Sequence, residues 1–255
     1  MNFQFDETLA ANYKNASQKV RVMSEHWLTQ NLFCPCCGNT HIDKMRNNLP
    51  VADVHCENCG EVFELKSKRN RIGAKIPDGA YKTMIERITS NVNPQLFIMQ
   101  YSAKFSVTDL TLVPKFFFTP DIIERRKPLP PTAKRAGWVG CNILYEKIPA
   151  QGKIAVIRGG AEVEVAEVLR SYDKIKSLRT DNIKLRGWIM DVLNCINDID
   201  SEIFTSQDIY KYAGILGAKH EHNRNVEAKI RQQLQFLRDK GFIEFVSRGV
   251  YRKVV

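Results

Sequence analysis

The sequence predicts an α/β core with a metal knuckle set into it, followed by a C-terminal winged-helix module. Three observations carry that reading. A strand, helix, strand pattern runs through "EVFELKSK", "DGAYKTMIERITS" and "PQLFIMQYS"; two Cys-x-x-Cys pairs precede it; and the last quarter of the chain reads as three helices and a β-hairpin. At 255 residues the chain suits one large domain and a small module, expected over 1–180 and 184–255.

In chain order, residues 1–33 look helical, with Leu9 and Tyr13 four apart and Ser24 read as the N-cap of a short helix over "EHWLTQ". Cys34-x-x-Cys37 and Cys56-x-x-Cys59 come next, separated by eighteen residues, and Cys37 and Cys59 are each followed by glycine. That spacing fits a tetrahedral four-cysteine Zn²⁺ site, each pair wrapped on a tight turn. Cys36 offers a competing thiol, although Cys34 with Cys37 keeps the two-residue gap. His41 and His55 read as surface residues, and Cys141 and Cys195 as small hydrophobes.

In "EVFELKSK", Phe63 and Leu65 alternate with Glu64 and Lys66, the period of a strand with one buried face, so Glu64 and Lys66 point the same way. "DGAYKTMIERITS" puts Tyr81, Met84, Ile85 and Ile88 on one helical stripe, and "PQLFIMQYS" is a buried strand reached by that crossover. "DLTLVPKFFF" and "KIAVIRGG" supply further strands. Between them the proline-rich, basic "ERRKPLPPTAKRAGWVG" reads as an ordered surface loop, and residues 161–183 as a helix and a polar connection.

Beyond that, "LRGWIMDVLNCINDI" carries Leu185, Trp188, Val192, Leu193 and Ile196 on one face, which makes Trp188 core. "TSQDIYKYA" is a short capped helix. "NRNVEAKIRQQLQFLRDKGF" is a long one with Val226, Ile230, Leu234 and Leu237 inward, and "FIEFV", "SRG" and "VYRKVV" form the hairpin. Facing Val226 to Leu237 inward leaves Arg224, Arg231 and Gln235 outward, residue types that match guanine and adenine edges in the major groove; Arg248 in the wing turn would meet the backbone.

The net charge of +10 is clustered: residues 124–153 carry seven basic and two acidic side chains, and residues 64–87 seven and three. Such a field favours a polyanion. No amphipathic basic helix or lipidation signal points to a membrane surface, so double-stranded DNA is the expected partner. No apolar run nears the roughly 18 residues of a membrane span, and the acidic "MNFQFDETLA" is unlike a signal peptide. A cytoplasmic location is expected, and the odd cysteine count argues against a disulfide framework.

A second constellation is Asp53, ten residues, then Glu64-Leu65-Lys66. Two carboxylates on adjacent strands with a lysine beside them can hold Mg²⁺ against a phosphodiester and place an ammonium by the attacking water. A surface hairpin with solvated charges is the alternative. Context favours chemistry: Val51 and Ala52 before Asp53, the helix and buried strand after it, and the positive field fit the PD-(D/E)xK nuclease arrangement.

Together with "NASQKVRVMSEHW", "CPCCGN", "PVAD", "FELKSK", "DGAYKTM", "RKPLPPTAKRAGWVGCNI" and "KIRQQLQFLRDKGFIEF", this constellation resembles the DpnI-type methyl-directed (type IIM) restriction endonucleases along essentially the whole chain. The resemblance implies a restriction-endonuclease-like α/β core with a zinc knuckle, and a monomeric, Mg²⁺-dependent enzyme cutting duplex GATC sites only when adenine is N6-methylated, leaving blunt ends. Carried onto this chain, it makes Asp53, Glu64 and the Leu65 carbonyl the Mg²⁺ ligands and Lys66 the residue that orients or deprotonates water. Cys34, Cys37, Cys56 and Cys59 would hold Zn²⁺. This sequence departs from the pattern in having Cys36 within the knuckle and Ala52, not proline, before Asp53. Trp138, between glycine and valine and beside Lys134 and Arg135, is the first candidate for contact with the methyl group, with loop anchoring as the alternative. Competing functions are a related nuclease reading another modified base or a repair structure, and a non-catalytic zinc and winged-helix regulator.

Overall fold

The computed structural model describes residues 1–45 and 52–254. The expectation placed on Val51 lies outside these residues. After a short 3-10 turn (Glu7–Ala10), α1 (Ala16–Asn31) begins at Asn15, whose side chain accepts from the Ser17 and Gln18 amides. Ser24 is therefore no N-cap. It sits buried in mid-helix with its hydroxyl donating to the Arg21 carbonyl, because Asn15 already satisfies two of the free first-turn amides.

The strands that follow are β1 (Asp43–Lys44), β2 (Val54–His55), β3 (Val62–Arg69) and β4 (Lys75–Ala80), then α2 (Tyr81–Thr89), β5 (Gln95–Tyr101) and β6 (Val107–Val113). Next come β7 (Ile123–Arg125), β8 (Gly140–Leu144), β9 (Ile154–Arg158) and β10 (Ala161–Glu162), and α3 (Val165–Lys176). Among the described residues, one sheet runs β1-β2-β3-β5-β6-β9-β10 and a smaller one β4-β8-β7. Only β3 and β5 pair in parallel, Phe63 opposite Gln95 through Arg69 opposite Tyr101, as the crossover required; the other neighbours are antiparallel. The core closes around Trp27, Leu28, Phe63 and Phe97, with the last two rings stacked at 4.8 Å.

The C-terminal elements are α4 (Ile183–Asn197), β11 (Ile203–Thr205), α5 (Ser206–Tyr210), α6 (Ala213–Lys219), α7 (Val226–Asp239), β12 (Ile243–Ser247) and β13 (Val250–Lys253). Three strands in the order β11-β13-β12 back the helices, a winged helix-turn-helix. Thr205 and Asp208 form a capping box at α5, and Trp188, Ile209, Ile230, Leu234 and Leu237 are core. The sequence reading missed α6 and β11, whose few residues give no periodic signal. No helix among the described residues is long and apolar enough to cross a membrane.

Candidate active site

The knuckle is built by two matching loops. Gly38 amide donates to the Cys34 carbonyl at 2.8 Å and Gly60 amide to the Cys56 carbonyl at 2.9 Å, and both glycines take φ above +70° (+78° and +71°), where a side chain would be strained. These turns bring the four sulfurs of Cys34, Cys37, Cys56 and Cys59 within 4.8 Å of one another. Cys34 to Cys59 and Cys37 to Cys56 are both 3.7 Å. A tetrahedron with Zn–S bonds of about 2.3 Å has edges of about 3.8 Å, so the cluster fits Zn²⁺. Asn58 and Asn39 amides point at Cys37 and Cys56 sulfurs, at 3.4 and 3.6 Å, the kind of donors that support thiolates. Burial opposes ionisation of Cys37, yet hydrogen bonds led by Asn58 bring its thiol down to about 7. Cys36 stands outside the four-sulfur group.

The hairpin β2 to β3 leaves the knuckle and sets the second constellation. Asp53 is not at the end of a strand but just ahead of β2, fixed by its amide bond to the Phe63 carbonyl at 2.9 Å. Its Oδ2 accepts from the Leu65 amide at 2.7 Å. Because the amide and carbonyl of one strand residue face the same edge, the Leu65 carbonyl lies on the edge that β2 leaves open, beside Asp53. Glu64 and Lys66 do share a face: Lys66 Nζ stands 2.6 Å from Glu64 Oε1. All line a cleft of about 880 Å³ walled also by α1, β4 and α2.

Four cleft residues went unread in the sequence. Glu25 is buried on α1, where its Oε1 pairs with the exposed Arg21 Nε at 2.5 Å; an Arg and Glu four apart are common on any helix, so only the burial of Glu25 singles the pair out. Arg21 Nη2 reaches toward Asp53 Oδ1 at 3.5 Å. Asp78 of β4 binds Lys66 Nζ at 2.5 Å, and Arg87 of α2 lines the wall. Burial raises the Asp53 carboxyl above the ordinary range, against the Leu65 amide bond and aided by Glu25. Burial likewise raises Glu64; Lys66 opposes this and Asp78 adds to it. Burial disfavours the Lys66 charge, but Glu64 and Asp78 outweigh it and hold the ammonium above the usual lysine range.

Buried carboxylates that resist ionisation in a cleft, with a backbone carbonyl beside them, make a donor set for a hard cation. Mg²⁺ asks for one or two carboxylates and keeps several waters, so Asp53, Glu64 and the Leu65 carbonyl fit it. Lys66 Nζ lies between Glu64 Oε1 and Asp78 Oδ1, so an ammonium stands beside this donor set.

The residues expected to read DNA lie at two places. Trp138 is half-buried in the loop between β7 and β8, under the Arg135 guanidinium at 4.5 Å from its ring and against Gly140, where any Cβ would meet the ring at 2.7 Å. Gly140 pairs with Ala80 on the cleft wall, so the loop is anchored to the rim; Lys134 and Arg135 are exposed. On α7, Arg231 and Gln235 face outward, with Arg231 donating to the Tyr210 hydroxyl at 3.2 Å. Arg224 is not on that face. It precedes the N-cap Asn225, whose non-helical backbone and amide bond to Asn223 Oδ1 end the helix there. Arg248 occupies the exposed turn between β12 and β13, as expected.

Two comparisons with known families agree with this architecture. Residues 1–181 match DpnI, the Dam-replacing family, and residues 184–253 match the Dam-replacing HTH domain. Since the first match alone spans more than half of the sequence, the chain belongs to the DpnI family.

Proposed function

We propose that the chain is a Mg²⁺-dependent endodeoxyribonuclease that cuts duplex DNA at GATC sites carrying N6-methyladenine and leaves blunt ends. The coarser statement follows from the family, which implies a methylation-dependent restriction endonuclease. What supports the chemistry is one arrangement: Asp53 tied to the Leu65 amide at 2.7 Å, with Glu64 and Lys66 on the same open cleft.

In this reading Asp53, Glu64 and the Leu65 carbonyl would hold Mg²⁺, which when bound would supply charge neutralisation at the phosphodiester and a more acidic water. Lys66, clamped as an ammonium, orients the water and the scissile phosphate rather than removing a proton. Trp138 offers an apolar ring to the methyl group, while Lys134 and Arg135 take phosphates. Residues 184–255 act as a second DNA reader, with Arg231 and Gln235 toward base edges and Arg224 and Arg248 toward the backbone. The enzyme works as a cytoplasmic monomer, and residues 1–180 are its nuclease domain.

The test is digestion of one plasmid, adenine-methylated and unmethylated, with Mg²⁺ or with chelator. Cutting of methylated DNA alone, at GATC and only with Mg²⁺, is the expected result. Cutting at another modified base would replace the specificity, and no cutting by folded, zinc-loaded protein would remove the catalytic roles of Asp53, Glu64 and Lys66.

A further inference from the structure

Asp78, like Glu25, is an acidic residue of the cleft that the Asp53, Glu64, Lys66 constellation does not contain. It sits on β4, in the smaller sheet, so its backbone is independent of the β2 to β3 hairpin that carries the other three. Its side chain is 4% exposed. Oδ1 stands 2.5 Å from Lys66 Nζ and also accepts from the Gly79 amide at 2.6 Å. The bond to Gly79 is possible because the β4 to β8 register slips between Asp78 and Ala80, which turns the Gly79 amide back toward the carboxylate. Oδ2 is buried and has no hydrogen-bond partner among the described residues.

A fold that buries a half-satisfied carboxylate stores an unfavourable contact, and such contacts concentrate where geometry serves function. Lys66 explains the arrangement. Its ammonium ends a flexible four-carbon stem and is pinned between Glu64 Oε1 at 2.6 Å and Asp78 Oδ1 at 2.5 Å. Glu64 has two demands on it under the function proposed above, since it must also hold Mg²⁺. Once its oxygens turn toward the cation, a lysine held by Glu64 alone would be released into the cleft.

We propose that Asp78 is the positioning residue of the cleavage reaction, the anchor that keeps Lys66 Nζ aimed at the attacking water when Glu64 is committed to the metal. This inference rests on the nuclease reading. It differs from a metal-ligand role in what it predicts: Asp78 acts on the lysine, so its loss should slow the chemical step without weakening Mg²⁺ or DNA binding.

The experiment uses the full-length, zinc-loaded chain and a duplex with one methylated GATC site, measuring kcat, KM and the half-saturating Mg²⁺ concentration for wild type, Asp78→Asn and Asp78→Ser. The serine variant is the smaller neutral replacement, should asparagine not be accommodated. The expected result is a fall in kcat of about 100-fold, the size of effect that misplacing one reacting group produces, with KM and the Mg²⁺ midpoint within about threefold of wild type. Variants that cut within about threefold of wild type would overturn the inference. So would a loss restored at high Mg²⁺, which would make Asp78 a metal ligand, or a parallel loss of duplex affinity and circular dichroism in both variants, which would make it structural. A wild-type chain that does not cut the methylated duplex would instead fail the nuclease reading itself, and this inference with it.

Discussion

Asp53 is half-buried near another carboxylate, Glu25, and its carboxyl is raised chiefly by its partial removal from water. A raised carboxyl means that folding favours the neutral form. The ionised form costs nothing below the unfolded-state value and its full amount above the folded one, so the penalty grows as pH rises through that window. Asp53→Asn should therefore raise the melting temperature of the magnesium-free chain at neutral pH by roughly 1 to 3 °C, with the gain vanishing on acidification. The same variant should lower cleavage at least about 100-fold. Thermal melts from pH 4 to 8 without Mg²⁺ check the first half; a variant less stable than wild type at neutral pH would contradict it. Trp138→Ala tests the other end of the site. Its ring is held flat by Arg135 and Gly140, and a rigid apolar surface is what a methyl group can recognise. Competition binding should show the preference for methylated over unmethylated duplex reduced about tenfold, with nonspecific affinity little changed.

At the scale of elements, the four-cysteine knuckle sets the geometry of the candidate active site. β2 has two residues and pairs with β3 only through Val54 with Phe63 and His55 with Val62, too little to hold a register alone. That register is what seats Asp53 against Leu65. Cys56→Ser, or removal of zinc by a strong chelator, should thus abolish cleavage while helical circular dichroism from α4 to α7 persists. Metal analysis should give one zinc per wild-type chain; full cleavage by the zinc-free chain would break the link between knuckle and active site. These elements were legible because their signals are local: cysteine spacing, the alternation of β3, the stripe of α2. β4 was not. Its "KIPDGA" carries the Pro-Asp-Gly of a turn, and it forms a strand only because β8 pairs with it from more than sixty residues away, Asp78 opposite Cys141. Asp78 was hidden with it. The start of α1 was misplaced since Asn15 and Ser24 are both good caps, and only packing of the intervening Val20 and Met23 decides between them.

For the whole molecule, the question is how the winged helix is held against the nuclease core. Arg186 of α4 is buried and donates to the Phe118 carbonyl at 3.0 Å, to Asn91 Oδ1 at 2.5 Å and to the Thr180 carbonyl at 2.9 Å. Burial pulls its guanidinium below the ordinary arginine range. Around it the junction is polar: Lys219 reaches Asp121 at 3.4 Å, and the Asn197 and Gln151 side-chain amides exchange hydrogen bonds at 3.0 Å; inside the winged helix Lys219 and His220 both pair with Asp191, at 2.5 and 2.8 Å, and His220 stacks on Trp188. The exposed contacts that cross the junction contribute little each, so the buried guanidinium should carry most of the docking. Arg186→Ala removes a donor from three acceptors at once, all of them on residues 1–180, and should cost about 2 to 4 kcal/mol. It should also split one thermal transition into two, as the winged helix uncouples from the sheet that carries the cleft. Because the cleft residues lie on other elements, cleavage at saturating DNA should fall less than the affinity for the methylated duplex does. Differential scanning calorimetry beside steady-state kinetics decides this: a single transition with an unchanged midpoint would mean that docking is spread over the polar contacts instead of resting on Arg186.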